Sequence, residues 1–269
     1  LVTPWKPSSL VYKDKVHLLE SAVITWTKQI KYILKQDPEA LLKRGSNPTP
    51  DVEIDFWKHK STNLNSIFDQ LQSDKVRKVL RFLDLSKSTY CTPFAKLCKE
   101  VFSARLEAND NIKYLETLRS LFIRLSESTD FPKLTMLFKP ILHTTLLIWK
   151  SSEYYNTPSR LVVLIREICN GLIAQACKFT SGKQIFELIE EEEAGQAVEQ
   201  LKLTLQICGT FKSTYFDYKA MANADCPGNP WRIQNNALFM RLDSFLERCH
   251  DILDLTQTID FIKNALTEV

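Results

Sequence analysis

Apolar residues recur along this chain at alternating three- and four-residue spacing, the period of a helix buried along one stripe. The most regular run is Tyr12, Val16, Leu19, Val23, Trp26, Ile30 and Ile33, at intervals of 4, 3, 4, 3, 4 and 3. Such a heptad-like seam packs against another helix at a shallow angle, and these seven residues are the candidate interaction residues of the chain. Asp37-Pro38 interrupts the pattern, and Gly45 to Pro50 forms a loop that ends it. A second helix opens at Pro50, with Asp51, Glu53 and Asp55 suited to the positive end of its dipole. A third is capped by Ser73-Asp74, and Pro93 predicts a kink or break near Ser88 to Thr92. Asn109-Asp110 reads as the start of a shorter helix, and Ser126 to Asp130 as a polar break.

The densest local signal lies between His143 and Ile173. Leu134, Leu137/Phe138, Ile141, Thr145 and Ile148/Trp149 form one stripe, and Leu161, Leu164/Ile165, Ile168, Leu172 and Ala176 form another. Between them Thr157 can cap the second helix and Pro158 fits its first position. The two stripes predict an antiparallel helical hairpin, with Arg160, Arg166, Glu167, Asn170 and Lys178 off the buried face. Beyond Ser181-Gly182 the pattern weakens, and the carboxylates Glu190 to Glu193 read as a solvated helix start. Two more seams follow, from Ala194 to Tyr218 and from Leu238 to Leu266, separated by turn-forming residues Asn223 to Pro230 that suit a hinge.

The expected fold is all-α: an elongated stack of helical bundles made of about eight long amphipathic helices, each roughly 15 to 33 residues. Segments are expected at 1–48 (N-terminal helix), 49–127 (a helical bundle), 128–182 (the hairpin) and 183–269 (a C-terminal helical pair). Six glycines against 11 prolines in 269 residues fit long helices with sharply punctuated ends. The chain opens on Leu1 and closes at Val269 within a helical pattern, which reads as an excerpt of something longer.

Charge does not single out a polyanionic partner. Thirty-five basic residues are interleaved with 32 acidic ones for a net +3, and the Lys75, Arg77, Lys78, Arg81 cluster reads as a solvated face. Neither nucleic acid nor a membrane is expected as a partner, since no apolar run reaches the roughly 20 residues of a span. The seven cysteines mostly fall on apolar helix faces, as reduced core thiols do. Cys91 and Cys98, about 10.5 Å apart along one helix, cannot bridge locally.

Reaction chemistry finds no purchase in the sequence. The one Gly-Lys pair, Gly182-Lys183, has Cys177 and Gln184 where a phosphate-binding loop needs glycine and Ser or Thr. His17, His59, His143 and His250 have no metal-ligand spacing, and neighbours such as Cys249-His250 point about 100° apart on a helix. Trp26, Trp57, Trp149 and Trp231, a conceivable ligand cage, sit among aliphatic residues at core spacing.

Several stretches resemble the N-terminal tail of dynein heavy chains. They include Val52-Glu53-Ile54-Asp55-Phe56-Trp57-Lys58, Glu107-Ala108-Asn109-Asp110-Asn111-Ile112-Lys113-Tyr114-Leu115, Trp149-Lys150 with Glu153-Tyr154-Tyr155-Asn156-Thr157-Pro158, and Leu238-Phe239-Met240-Arg241-Leu242-Asp243. The resemblance runs from about residue 11 to the C-terminus and departs from the family's wording at Asn264-Ala265. It leans toward axonemal, outer-arm chains. It implies a non-catalytic tail segment at the cytoplasm and ciliary axoneme. The implied partners are other dynein heavy chains, dynein intermediate and light chains, and docking factors on the doublet microtubule. It implies no cofactor here, ATP and Mg being expected only in a motor region outside this chain. An α-solenoid adaptor is the alternative, but no helical-pair repeat of 35–45 residues is visible.

Overall fold

In a computed structural model, residues 9–37, 48–190, 194–225, 227–228 and 230–267 are described, and these are mostly helical with no strand. Nine α-helices occur among them: α1 Ser9–Leu34, α2 Pro50–Leu71, α3 Asp74–Leu85, α4 Cys91–Ser126, α5 Thr135–Ser151, α6 Pro158–Phe179, α7 Gly182–Glu190, α8 Ala194–Asp225 and α9 Asn235–Thr267. A 3-10 turn, Pro132–Leu134, precedes α5. The chain divides into two compact units, Leu1–Ser46 with Asp55–Ile112, and Asn47–Ile54 with Lys113–Val269.

In the first unit α1 packs on α3. The Tyr12 and Phe82 rings lie 5.5 Å apart, and the Tyr12 hydroxyl shares a 2.6 Å hydrogen bond with Ser86. Val23, Ile30, Trp57, Leu64, Leu83, Phe94, Leu97 and Val101 are buried there. Polar residues bind the helices at its edge: Lys60 Nζ donates to the Gln36 carbonyl at 2.6 Å, and Arg105 Nε to Asn65 Oδ1 at 2.5 Å.

The end of α3 shows how a short stretch fixes a corner. Ser73 caps its start, accepting from the Val76 N–H at 3.4 Å. At its end Lys87 N–H donates to Asp84 and Ser88 N–H to Leu83, and Lys87 adopts φ 54°. These are the paired bonds of a Schellman closure, with lysine in the left-handed position that glycine takes without steric cost. Replacing Lys87 by glycine is therefore expected to stabilise the protein by about 1 kcal/mol, read as an increase in the denaturation midpoint. The break falls at residues 86–90, ahead of Pro93, which enters the first turn of α4 where its missing N–H has no helical partner.

The expected new helix at Asn109 does not form; α4 continues unbroken to Ser126. Phe94, Leu97, Val101, Ala108, Leu115, Leu118, Phe122 and Leu125 keep its stripe buried throughout. Asn109, instead of capping, accepts from the Ser61 hydroxyl at 3.1 Å.

In the second unit α5 packs chiefly on α8, and α6 on α9. The stripes read as the two halves of a hairpin are buried as expected, but each helix finds its principal partner farther along the chain. Phe138 meets Phe211 edge-on at 5.1 Å, and Tyr215 meets Phe239 at 5.0 Å. Pro140 lies inside α5, where it removes a backbone bond. Glu167, expected on the wet face, is buried and accepts from the Asn170 amide at 2.9 Å. The short α7 joins α8 and α9 in a small core of Ile185, Leu188, Ala197, Leu201, Cys249 and Leu253. Residues 191–193 of the acidic run lie outside the described set. The expected hinge is narrowed: α8 extends to Asp225, residues 226 and 229 lie outside the described set, and buried Trp231 donates its backbone N–H to Asn223 Oδ1 at 2.6 Å.

Two helical glycines contrast sharply. A Cβ on Gly171 would meet Phe122 at 3.0 Å and Leu125 at 3.1 Å, whereas one on Gly209 would meet nothing within 4 Å. Gly171→Leu should cost about 1–3 kcal/mol by overpacking. Gly209→Ala should gain about 1 kcal/mol, since only the helix propensity changes. Urea denaturation of the two variants checks both signs.

Candidate functional site

The seven seam residues of α1 face into the first unit rather than away from it. Val23 and Ile30 are buried, and Tyr12, Val16, Leu19, Trp26 and Ile33 are half-buried. Trp26 lies 6.3 Å from the Phe94 ring, and with Ile30 it joins Ile67, Leu71 and Val76 around a cleft of about 110 Å³. The seam is thus turned toward the first unit, with five of its seven residues still partly open. The opposite face of α1 exposes Leu18 and Tyr32, at 72% and 70%, beside Lys28, Lys31 and Lys35.

The α5–α6 corner is built differently from its sequence reading. Thr157 has the extended backbone of a cap and Pro158 follows it at the first helical position, but the Thr157 hydroxyl makes no capping bond. Ser152 does the local work, accepting from the Tyr155 N–H at 2.8 Å. Tyr155 is thereby turned inward, where its hydroxyl donates to Glu53 Oε2 at 2.7 Å. Both are buried, and the Arg160 guanidinium stands 5.5 Å from the tyrosine ring. Burial, then the Glu53 charge, pushes the Tyr155 hydroxyl well above the ordinary tyrosine range. This is a proton donor held in place, the opposite of a poised acid or base.

The buried thiols Cys169, Cys208 and Cys249 are similarly unsuited to reaction with a reagent from solvent. Burial raises the pKa of Cys169 strongly, that of Cys208 to about 12 and that of Cys249 to about 11. Above pH 9 the unfolded chain sheds thiol protons that the folded chain keeps, so these groups make stability fall as pH rises from 9 toward 11–12. A Cys208→Ala variant should lose stability less steeply across that window, as equilibrium denaturation at successive pH values would show. Exposed Cys177 should react with a maleimide in the native chain, and Cys169, Cys208 and Cys249 only in denaturant.

Among the described residues no group of three or more His, Cys, Asp or Glu is arranged to hold a metal. Trp26, Trp57, Trp149 and Trp231 form no cage: Trp149 and Trp231 pair at 5.3 Å in the second unit, while in the first Trp57 is buried in the core and Trp26 is half-buried near Phe94. Lys183 is exposed on α7 and pairs with Glu187 at 3.5 Å. Lys75, Arg77, Lys78 and Arg81 are all exposed, as expected of a solvated face. No described helix is long and apolar enough to cross a membrane.

What remains is a class: an all-α chain whose rings, thiols and buried hydrogen bonds serve helix packing. The family described as "Dynein heavy chain, N-terminal region 1" matches residues 16–266, and the chain belongs to it. It is 52% identical over 251 residues to the dynein beta chain of the flagellar outer arm of Chlamydomonas reinhardtii, covering 93% of this chain and 5% of that protein. It is 37% identical over 264 residues to the ciliary dynein beta chain of Tripneustes gratilla, covering 96% and 6%. With human dynein axonemal heavy chain 9 it shares 34% over 261 residues, covering 95% and 6%. The chain therefore spans only about one twentieth of the length of these relatives. The resemblance read from the sequence, to dynein heavy chains of axonemal type, is borne out.

Proposed function

We propose that this chain is a non-catalytic tail segment of an axonemal dynein heavy chain of the outer-arm kind. In this reading it scaffolds heavy-chain association and the assembly of intermediate and light chains, and helps anchor the motor to the doublet microtubule for ciliary or flagellar beating. It binds no cofactor of its own, ATP and Mg being the business of a motor region outside these residues. The observation that carries the reading is the 52% identity to a flagellar outer-arm beta chain across 93% of this chain. The geometry supports it: the polar groups described above cap, pin and join helices, and none is left poised to make or break a bond.

With Val23 and Ile30 of the α1 seam buried within the first unit, association with another chain is assigned to the outward face that carries Leu18 and Tyr32. Cross-linking mass spectrometry on intact outer arms tests this. Links from Lys28, Lys31 or Lys35 to a second heavy chain, or to an intermediate or light chain, are expected. Their absence, or ATP hydrolysis by the purified segment above background, would remove the assignment.

A further inference from the structure

The second unit carries an apolar groove of about 620 Å³ between the end of α6, α7 and α9, with Ile252 and Leu255 bare on its α9 wall. Two thiols, one from each long helix, share its lining. Cys177, near the end of α6, is exposed, and Cys249, in the middle of α9, is 4% exposed; both are free.

Helix register brings them to one level. α6 packs on α9, and Arg241 Nη1 of α9 donates to Asn170 Oδ1 of α6 at 3.1 Å. Cys177 lies seven residues beyond Asn170, and Cys249 eight beyond Arg241, advances of about 10.5 and 12 Å along the two helices. A hydrogen bond at one point and a shared groove wall two turns on thus keep step, so the two helices run parallel here. Packed helices lie about 8–10 Å apart with Cα atoms about 2.3 Å from each axis, so residues facing one another at one level come within roughly 3–6 Å. That range overlaps the about 4.4–6.8 Å between Cα atoms that a disulfide spans.

Ionisation reports the same proximity. Burial first, then the Cys177 charge, raises the Cys249 thiol to about 11. Cys208 feels both of these cysteines after its own burial, but it is 0% exposed and does not belong to the described groove lining. Access divides the roles of the other two. An oxidant from solvent meets Cys177, whereas Cys249 is closed to solvent and is reached by the sulfur beside it.

We infer that Cys177 and Cys249 are a reversible thiol pair, oxidised by a small disulfide such as oxidised glutathione to a bond that joins α6 to α9 at the groove. The Cys177 thiolate attacks one glutathione sulfur, forming a mixed disulfide and releasing one glutathione. The Cys249 sulfur then attacks that of Cys177, and the second glutathione leaves. The two cysteines lose two electrons and two protons, and oxidised glutathione takes up both to become two molecules of glutathione. The pair goes beyond the heavy-chain reading and does not rest on it.

The test equilibrates the 269-residue chain with oxidised and reduced glutathione at a series of ratios, quenches in acid, alkylates the remaining thiols and identifies cross-linked peptides by mass spectrometry without reduction. A Cys177–Cys249 cross-link at least tenfold more abundant than any other is expected, with a matching loss of maleimide labelling at Cys177 that dithiothreitol reverses. Cys249→Ala should stop at the glutathione adduct of Cys177, and Cys208→Ala should cross-link as the wild type does. Should either variant fail to fold by circular dichroism, the wild-type pattern decides alone. Cys177 found only as its glutathione adduct in the wild type would overturn the inference. So would a Cys177–Cys208 cross-link in its place, or a Cys177–Cys249 cross-link that forms only in denaturant. A doubled mass without reductant, from two copies joined through Cys177, would overturn it as well.

Discussion

Replacing Tyr155 by alanine is expected to destabilise the second unit by about 3–5 kcal/mol, the usual cost of emptying a large buried aromatic site. The residue is 1% exposed, so nearly all of its ring is lost to a cavity. Tyr155→Phe separates the two contributions. It keeps the ring and removes the 2.7 Å hydrogen bond to buried Glu53, which should cost about 1–3 kcal/mol for withdrawing a donor from a charged, desolvated acceptor. Denaturant titration of both variants gives the ordering alanine, phenylalanine, wild type. A phenylalanine variant as stable as wild type would mean that the hydroxyl contributes nothing net.

Trp57→Ala should act on the first unit with a comparable magnitude, about 3–5 kcal/mol. Trp57 is 1% exposed, packs edge-on against Phe56 at 5.3 Å and has the Lys60 ammonium 5.3 Å from its ring. Hydrogen exchange resolved by peptide should place the loss in α2 and the part of α4 within that unit. Exchange in α8 and α9 should change much less, because neither helix belongs to the unit that is weakened.

The helices themselves were legible because their signal is periodic and long. The stripes of α5, α6 and α8 need only a count of threes and fours, and the buried residues fall where that count puts them. Reading failed where a side chain had two uses. Asn109 looks like a cap but is engaged by Ser61, 48 residues away. Thr157 has the residue type and backbone of a cap, yet Ser152 makes the bond that shapes the corner. Short α7 offers too few turns to establish a period, and Glu167 sits on the buried face, where it accepts a hydrogen bond from Asn170.

The candidate site was less legible still. The α1 seam was visible, but a heptad count does not say whose helix meets it, and here its neighbours come from α2, α3 and α4 of the same unit. The Tyr155–Glu53 bond joins residues 102 apart, a separation at which no local pattern speaks. The groove on α9 was hidden for the opposite reason, since a stripe that ends up bare reads the same as one that ends up covered.

The paired indoles of Trp149 and Trp231 have a practical consequence. Two buried indoles 5.3 Å apart at 42° should couple their ultraviolet transitions and give a paired circular-dichroism band. Both indoles belong to the second unit, so loss of that coupled band would report its melting without any label.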